Sequence, residues 1–172
     1  LPYVSNSVLP DLYLKLQELS MARPVSGLLT DMVCCPGGDF CSLANARSIT
    51  VAEDINRRYK SLDKLESLGN IDLRISGCMN SCGHHHIGNI GILGVDKDGK
   101  AFYQLLLGGN SGEKGKASLG KIIAKAFAED EISDAVENIL QHYLSKRDKN
   151  EIFRDTVARL GNASFAEAAN KA

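Results

Sequence analysis

Asn89-Ile-Gly-Ile-Leu-Gly-Val-Asp-Lys-Asp-Gly-Lys-Ala-Phe-Tyr-Gln-Leu-Leu-Leu107 decides how the chain folds. Two apolar runs, at about 89–95 and 101–107, flank the polar segment 96–100, whose Asp-Gly pair suits the left-handed backbone of a tight hairpin turn. Just upstream, Ile71, Leu73 and Ile75 alternate with Asp72 and Arg74, the period of a strand with one buried face. Downstream, 108–112 reads as a glycine-rich loop. Helices are predicted over about 118–127 and, behind a cap at Asp130, over 131–146. The second carries a stripe of Ile132, Val136, Ile139, Leu140, Tyr143 and Leu144, the pattern of core packing. Residues 147–172, with an amphipathic stretch at 152–160 and an alanine-rich end, read as a C-terminal helical tail.

In the other direction, residues 76–86 form a loop, and helical spacing covers 42–59 with a possible break at 48–50. There Thr50 and Glu53 have the spacing of a capping box. Pro36-Gly-Gly-Asp39 is a turn, 25–35 a mostly apolar strand running into it, and 10–21 a short amphipathic helix. Strands alternate with helices without an internal repeat or a linker. The expected class is α+β (α/β-like), a mixed sheet flanked by helices, in one domain spanning 1–172.

Length and charge narrow the function. A chain of 172 residues supports one domain with a real core, and 44% apolar with 24% charged residues is a globular composition. With 20 Lys and Arg against 21 Asp and Glu, nothing favours a nucleic-acid partner. No apolar run reaches the length of a membrane span, and Leu1 to Ser7 lacks the basic and apolar regions of a signal peptide, so a cytoplasmic protein is expected. A first residue of Leu rather than Met suggests a piece of a longer chain.

Five cysteines fall into two tight groups: Cys34, Cys35 and Cys41, then Cys78 and Cys82. That layout suits a disulfide framework poorly. Cys35 and Cys41 are spaced C-x5-C, Cys78 and Cys82 C-x3-C, each in a Gly- or Pro-punctuated loop. Thiolates are soft ligands, so an iron–sulfur cluster and zinc are the leading candidates, with unligated thiols as the plain alternative. The spacings fit neither ordinary zinc ribbons nor the ferredoxin run, and the cluster is the stronger reading. Glycines 37, 38, 77 and 83 let backbone approach a bulky group, and Cys41 stands where the predicted 42–59 helix would begin, a position that favours a thiolate.

Asp31-Met-Val-Cys-Cys35-Pro-Gly-Gly-Asp-Phe-Cys41-Ser-Leu-Ala-Asn-Ala46 and Ile75-Ser-Gly-Cys78-Met-Asn-Ser-Cys82-Gly83 resemble the two halves of the siroheme/[4Fe–4S] signature of assimilatory sulfite and nitrite reductases. The likeness continues through Ile90-Gly-Ile-Leu-Gly94 and Tyr103-Gln-Leu-Leu-Leu-Gly-Gly109, and 83–86 with 88–91 look most like the bacterial sulfite reductase hemoprotein (beta) component. The resemblance implies that Cys35, Cys41, Cys78 and Cys82 hold a [4Fe–4S] cluster, that Cys82 also bridges to siroheme, and that Asn80 approaches the siroheme. It implies six-electron reduction of sulfite to sulfide, with nitrite to ammonia as the alternative within the family. Partners would be the upstream half of the same polypeptide, a small anionic substrate, and ferredoxin or a flavoprotein reductase as electron donor. Family members are several times longer, and their substrate-binding cations lie upstream, so this chain alone is expected to be inactive.

Plainer readings stand beside these. Cys34 breaks the spacing and reads as a small buried hydrophobe. His84, His85 and His86 suggest zinc, a surface packed on a macrocycle, or simple exposure. Arg47, Arg57 and Arg58 are read as a solvated helix face before an anion-binding one. A non-catalytic zinc- or thiol-stabilised interaction module is the rival function.

Overall fold

The structure, a computed structural model, describes residues 2–112 and 115–171; Leu1 and Ala172, the ends of the expected domain, lie outside them. Among the described residues, five strands form one mixed sheet in the order β1 (Val33–Cys34), β2 (Leu73–Ser76), β3 (Ile90–Lys97), β4 (Lys100–Leu107) and β5 (Lys121–Ile122). The first three run parallel; β4 is antiparallel to β3, and β5 to β4. The predicted hairpin is present. Asp98 and Gly99 adopt φ of 54° and 76°, and Gly99 N–H donates to Asp96 Oδ1 at 3.1 Å, so the two-residue turn matches the strand twist.

Alternation fixes the faces. Leu73, Ile75, Ile90, Ile92, Tyr103 and Leu105 are fully buried, while Arg74 pairs with Asp72 on the opposite side of β2. Between β1 and β2 the chain forms α2 (Gly37–Phe40), α3 (Ile49–Arg58) and α4 (Leu62–Leu68). The connection from β2 to β3 over 77–89 carries no α-helix, only a 3-10 turn at His85–Ile87. The remaining helices are α1 (Leu9–Glu18), α5 (Ile132–Lys146), α6 (Phe153–Leu160) and α7 (Asn162–Ala169). Ile132, Val136, Ile139, Leu140 and Tyr143 bury the predicted stripe of α5, and α7 folds back along it. Phe153 lies between Tyr143 and Phe165, at ring distances of 5.3 and 6.0 Å.

Several expected elements differ. Residues 118–127 are extended rather than helical: Ile123 N–H donates to Leu105 O, and Phe127 and Tyr103 exchange both backbone bonds. The outer edge of β4 needs backbone partners, and Gly120 lowers the helical preference of the segment that supplies them. The 25–35 strand shrinks to Val33–Cys34. Gly27 at φ 74° donates its N–H to Asp31 Oδ2 at 2.8 Å, and Leu28 and Asp31 N–H groups close turns on Val25 and Leu28 carbonyls. The predicted turn from Pro36 to Asp39 is the cap and body of the single helical turn α2. The long 42–59 helix begins only at Ile49; its cap position is Ser48, while Thr50 Oγ1 donates to Glu129 Oε1. The cap position of α5 is Glu131 rather than Asp130. Helix α1 forms near its predicted place but buries no residue completely.

Candidate metal centre

Because β1 and β2 are parallel neighbours, both cysteine loops leave the sheet at the carboxyl end, where open α/β sheets bind ligands. The β1–β2 ladder extends one residue further, Cys35 N–H donating to Ile75 O at 3.1 Å. Gly77 N–H then donates to Cys35 Sγ at 3.1 Å, and Ser48 Oγ lies 3.6 Å from the same sulfur. The first loop is laced to the second through one carbonyl. Asn45 and Ala46 N–H groups both donate to Gly77 O, at 2.9 and 3.0 Å.

The close approach depends on glycine. A Cβ on Gly77 would sit 2.8 Å from Gly37 Cα and 2.7 Å from Ala46 O, and Gly37 itself has φ 56°. Cys41 N–H donates to Gly37 O and ends α2. Cys41 therefore stands at a helix C-terminus, not at the start of a helix as expected, and no N-terminal dipole acts on it.

Cys78 is buried, Cys35 and Cys41 are half-buried, and Cys82 is exposed. Asn80 is also exposed, between Cys78 and Cys82. Phe40, Leu43 and Met79 are more than two-thirds exposed at 83%, 71% and 81%, giving the cysteine loops an apolar rim. Among the described residues, no three His, Cys, Asp or Glu donors group closely enough for a single metal ion. A multinuclear cluster places its ligands on separate iron atoms, so its donors stand farther apart. Four thiols on two touching loops, one already receiving an amide N–H, fit such a group.

Cys34 is set apart. Its Sγ donates to Cys35 O at 3.2 Å, and burial, with smaller effects from Cys35 and Asp39, pushes its pKa up to about 12. A thiol that stays protonated alkylates slowly. In the iron-free native chain, iodoacetamide at mildly alkaline pH is expected to label Cys82 first and leave Cys34 intact. Peptide mass spectrometry reads the order, and equal labelling of both would contradict this assignment.

The three histidines separate: His84 is exposed, His85 fully buried and His86 half-buried. Burial, and then the neighbouring His86, lowers the His85 pKa from its ordinary 6.5 to about 4. The unfolded chain thus binds a proton that the native chain refuses between these values. Stability contributed by neutral His85 is present above pH 6.5 and is lost as pH falls toward 4, by about 3 kcal/mol in all. Urea unfolding at stepped pH is expected to show this slope and His85→Asn to flatten it; identical slopes would refute it.

Arg57 and Arg58 both pair with Asp54 within α3; Arg57 is otherwise exposed, and Arg58 also reaches Asp134 and Glu137, tying α3 to α5. Arg47 pairs with Asp39 on the first cysteine loop at 2.7 Å. A separate cleft of about 370 Å³, lined by Asn70, Asp72, Arg74, Asn89 and Asn110 among others, lies at the amino end of β2 and β3. Its asparagines brace neighbouring backbone: Asn89 bonds Asp72 N–H and Gly109 O, and Asn110 bonds Lys116 O and Gly112 N–H. Spacing did not reveal Ser48 or the Gly77 amide as parts of the site, since both act through tertiary contacts.

Residues 28–172 match the family model described as the nitrite and sulphite reductase 4Fe-4S domain. A ferredoxin–nitrite reductase of Leptolyngbya laminosa is 32% identical over 126 residues, covering 71% of this chain and 24% of that protein. The sulfite reductase [NADPH] hemoprotein beta-component of Shouchella clausii is 32% identical over 162 residues, covering 88% and 26%. A cobalt-factor III methyltransferase of Priestia megaterium is 31% identical over 155 residues, covering 89% and 26%. The solved structure of the Mycobacterium tuberculosis NirA protein superposes with a TM-score of 0.75 at 25% identity, over 94% of this chain and 31% of that one. The chain spans about a quarter of the length of these curated relatives.

Proposed function

The chain belongs to the nitrite and sulphite reductase 4Fe-4S domain family, and from that premise we propose that it is the cluster-carrying part of a sulfite reductase hemoprotein. Cys35, Cys41, Cys78 and Cys82 would hold a [4Fe–4S] cluster, with Cys82 shared with siroheme and Asn80 beside it. When bound, the coupled cofactors supply single electrons for a six-electron reduction. The observation that carries this reading is the junction of the two loops, where Gly77 N–H donates to Cys35 Sγ.

The chain's own residues have definite tasks in this reading. The Gly77 amide and Ser48 hydroxyl face the Cys35 sulfur, and donors there stabilise a thiolate and raise a cluster's potential. Phe40, Leu43 and Met79 offer apolar surface that keeps water from the thiols once covered. Arg47 is already paired with Asp39. Cations for a small anionic substrate would come from an upstream half of the same polypeptide, so the chain alone would not reduce sulfite. Ferredoxin or a flavoprotein reductase would deliver electrons in the cytoplasm. No helix among the described residues is long and apolar enough to cross a membrane.

Anaerobic reconstitution with iron and sulfide is expected to load about four of each per chain. One zinc without sulfide would overturn the reading in favour of a zinc-stabilised module. The full-length protein should then form sulfide from sulfite. Ammonia from nitrite as the faster product would assign the alternative substrate. The likeness to a cobalt-factor III methyltransferase favours a second reading, in which this domain serves a longer chain of other chemistry; a loaded full-length protein that reduces neither anion would support it.

A further inference from the structure

Ser81 links the second cysteine loop to the histidines that follow it. Placed between Asn80 and Cys82, it has φ 59°, a left-handed backbone that serine rarely adopts. Its N–H donates to Cys78 O at 3.2 Å and its carbonyl accepts from His84 N–H at 2.8 Å, so the loop turns on this residue. Its Oγ lies 3.3 Å from His85 Nδ1 and 3.0 Å from His86 Nδ1, and the two rings are 3.9 Å apart.

One hydroxyl proton cannot serve two acceptors, so one imidazole must donate. His85 is fully buried, and its Nε2 meets no hydrogen-bond partner among the described residues. A neutral ring carries one N–H. On Nε2 that proton would be a stranded donor in the interior; on Nδ1 it reaches Ser81. The order follows: His85 Nδ1–H donates to Ser81 Oγ, and Ser81 Oγ–H donates to His86 Nδ1, leaving the His86 proton on Nε2.

We propose that Ser81 is the positioning residue of the C-x3-C loop, its hydroxyl tying the left-handed turn before Cys82 to two imidazoles of fixed and opposite tautomer. The purpose rests on the cluster reading, since a loop held in one conformation presents Cys82 to the cluster without an ordering cost at loading. In this role Ser81 acts through the backbone and Cys82.

Histidine ring ¹⁵N shifts in the iron-free chain test it. The native chain is expected to show His85 protonated at Nδ1, the form the free histidine side chain disfavours, and His86 at Nε2. Ser81→Gly keeps the left-handed backbone but lacks the hydroxyl. It should move His85 toward the Nε2–H form, speed His84 amide exchange about fivefold, and lower iron loading by a similar factor. An Nε2–H His85 in the native chain, or a Ser81→Gly chain with unchanged shifts, exchange and loading, would overturn the proposal. Failure of the cluster reading shows separately, as a native chain that takes up no iron.

Discussion

Gly83→Ala is expected to cost at least about 4 kcal/mol, from overpacking against fixed backbone and loss of a buried hydrogen bond. A Cβ at this position would lie 2.0 Å from Ile75 O, 2.8 Å from Ile75 C and 3.1 Å from Ser76 Oγ. None of these atoms can move freely. Ile75 O accepts from Cys35 N–H, extending the β1–β2 ladder, and Ser76 Oγ accepts from Gly83 N–H at 3.1 Å. Relief therefore breaks the ladder or withdraws the loop, and both displace Cys82. Such a loss is a large fraction of a typical domain's stability. Urea unfolding beside Gly99→Ala provides the comparison, since Gly99 has φ 76° with nothing within 4 Å. Only the left-handed penalty of about 1 kcal/mol applies there. If the two variants are equally stable, the close packing of the second loop on β2 is wrong.

Phe153→Ala is expected to cost about 3–5 kcal/mol, the range for removing a large buried aromatic side chain. The ring is 1% exposed and meets Tyr143 and Phe165 edge to face, so its removal empties the junction of α5, α6 and α7. The Tyr143 hydroxyl accepts from Arg147 Nη1 and lies 3.1 Å from both Leu68 O and Glu151 O, which share its one proton, and this connects the cluster to α4 and to the chain before α6. The unfolding transition should shift as one, by tyrosine fluorescence from buried Tyr59 and Tyr103 and by far-ultraviolet circular dichroism. A variant that loses helical signal early while the tyrosine signal keeps its native midpoint would mean that α6 and α7 are held only locally.

The parts of the fold that were legible in the sequence are those where local chemistry and tertiary need agree. Asp98-Gly99 supplies the left-handed turn between two apolar runs, and the α5 stripe has the period of the face it buries. The cysteine spacing likewise marked the loops that the fold brings together. Elsewhere tertiary hydrogen bonds decided. Residues 42–47 have helical spacing, yet Asn45 and Ala46 N–H groups are taken by Gly77 O, and a helix there could not reach it. Residues 118–127 look helical until the open edge of β4 is considered. The Ser48 and Gly77 donors at Cys35 carry no pattern of their own, because their role exists only after β1 and β2 pair.

The helix-free connection over 77–89 gives insertions and deletions unequal consequences along the chain. At Asp98-Gly99 an added residue lengthens a solvent-facing turn. Within 77–89 the same peptide both carries two thiols and measures out where β3 begins. A one-residue change absorbed by β3 would turn Ile90 and Ile92 from the core to the other face. A change absorbed by the loop would instead alter the C-x3-C turn. Length in this segment is therefore coupled to strand register, which at Asp98-Gly99 it is not.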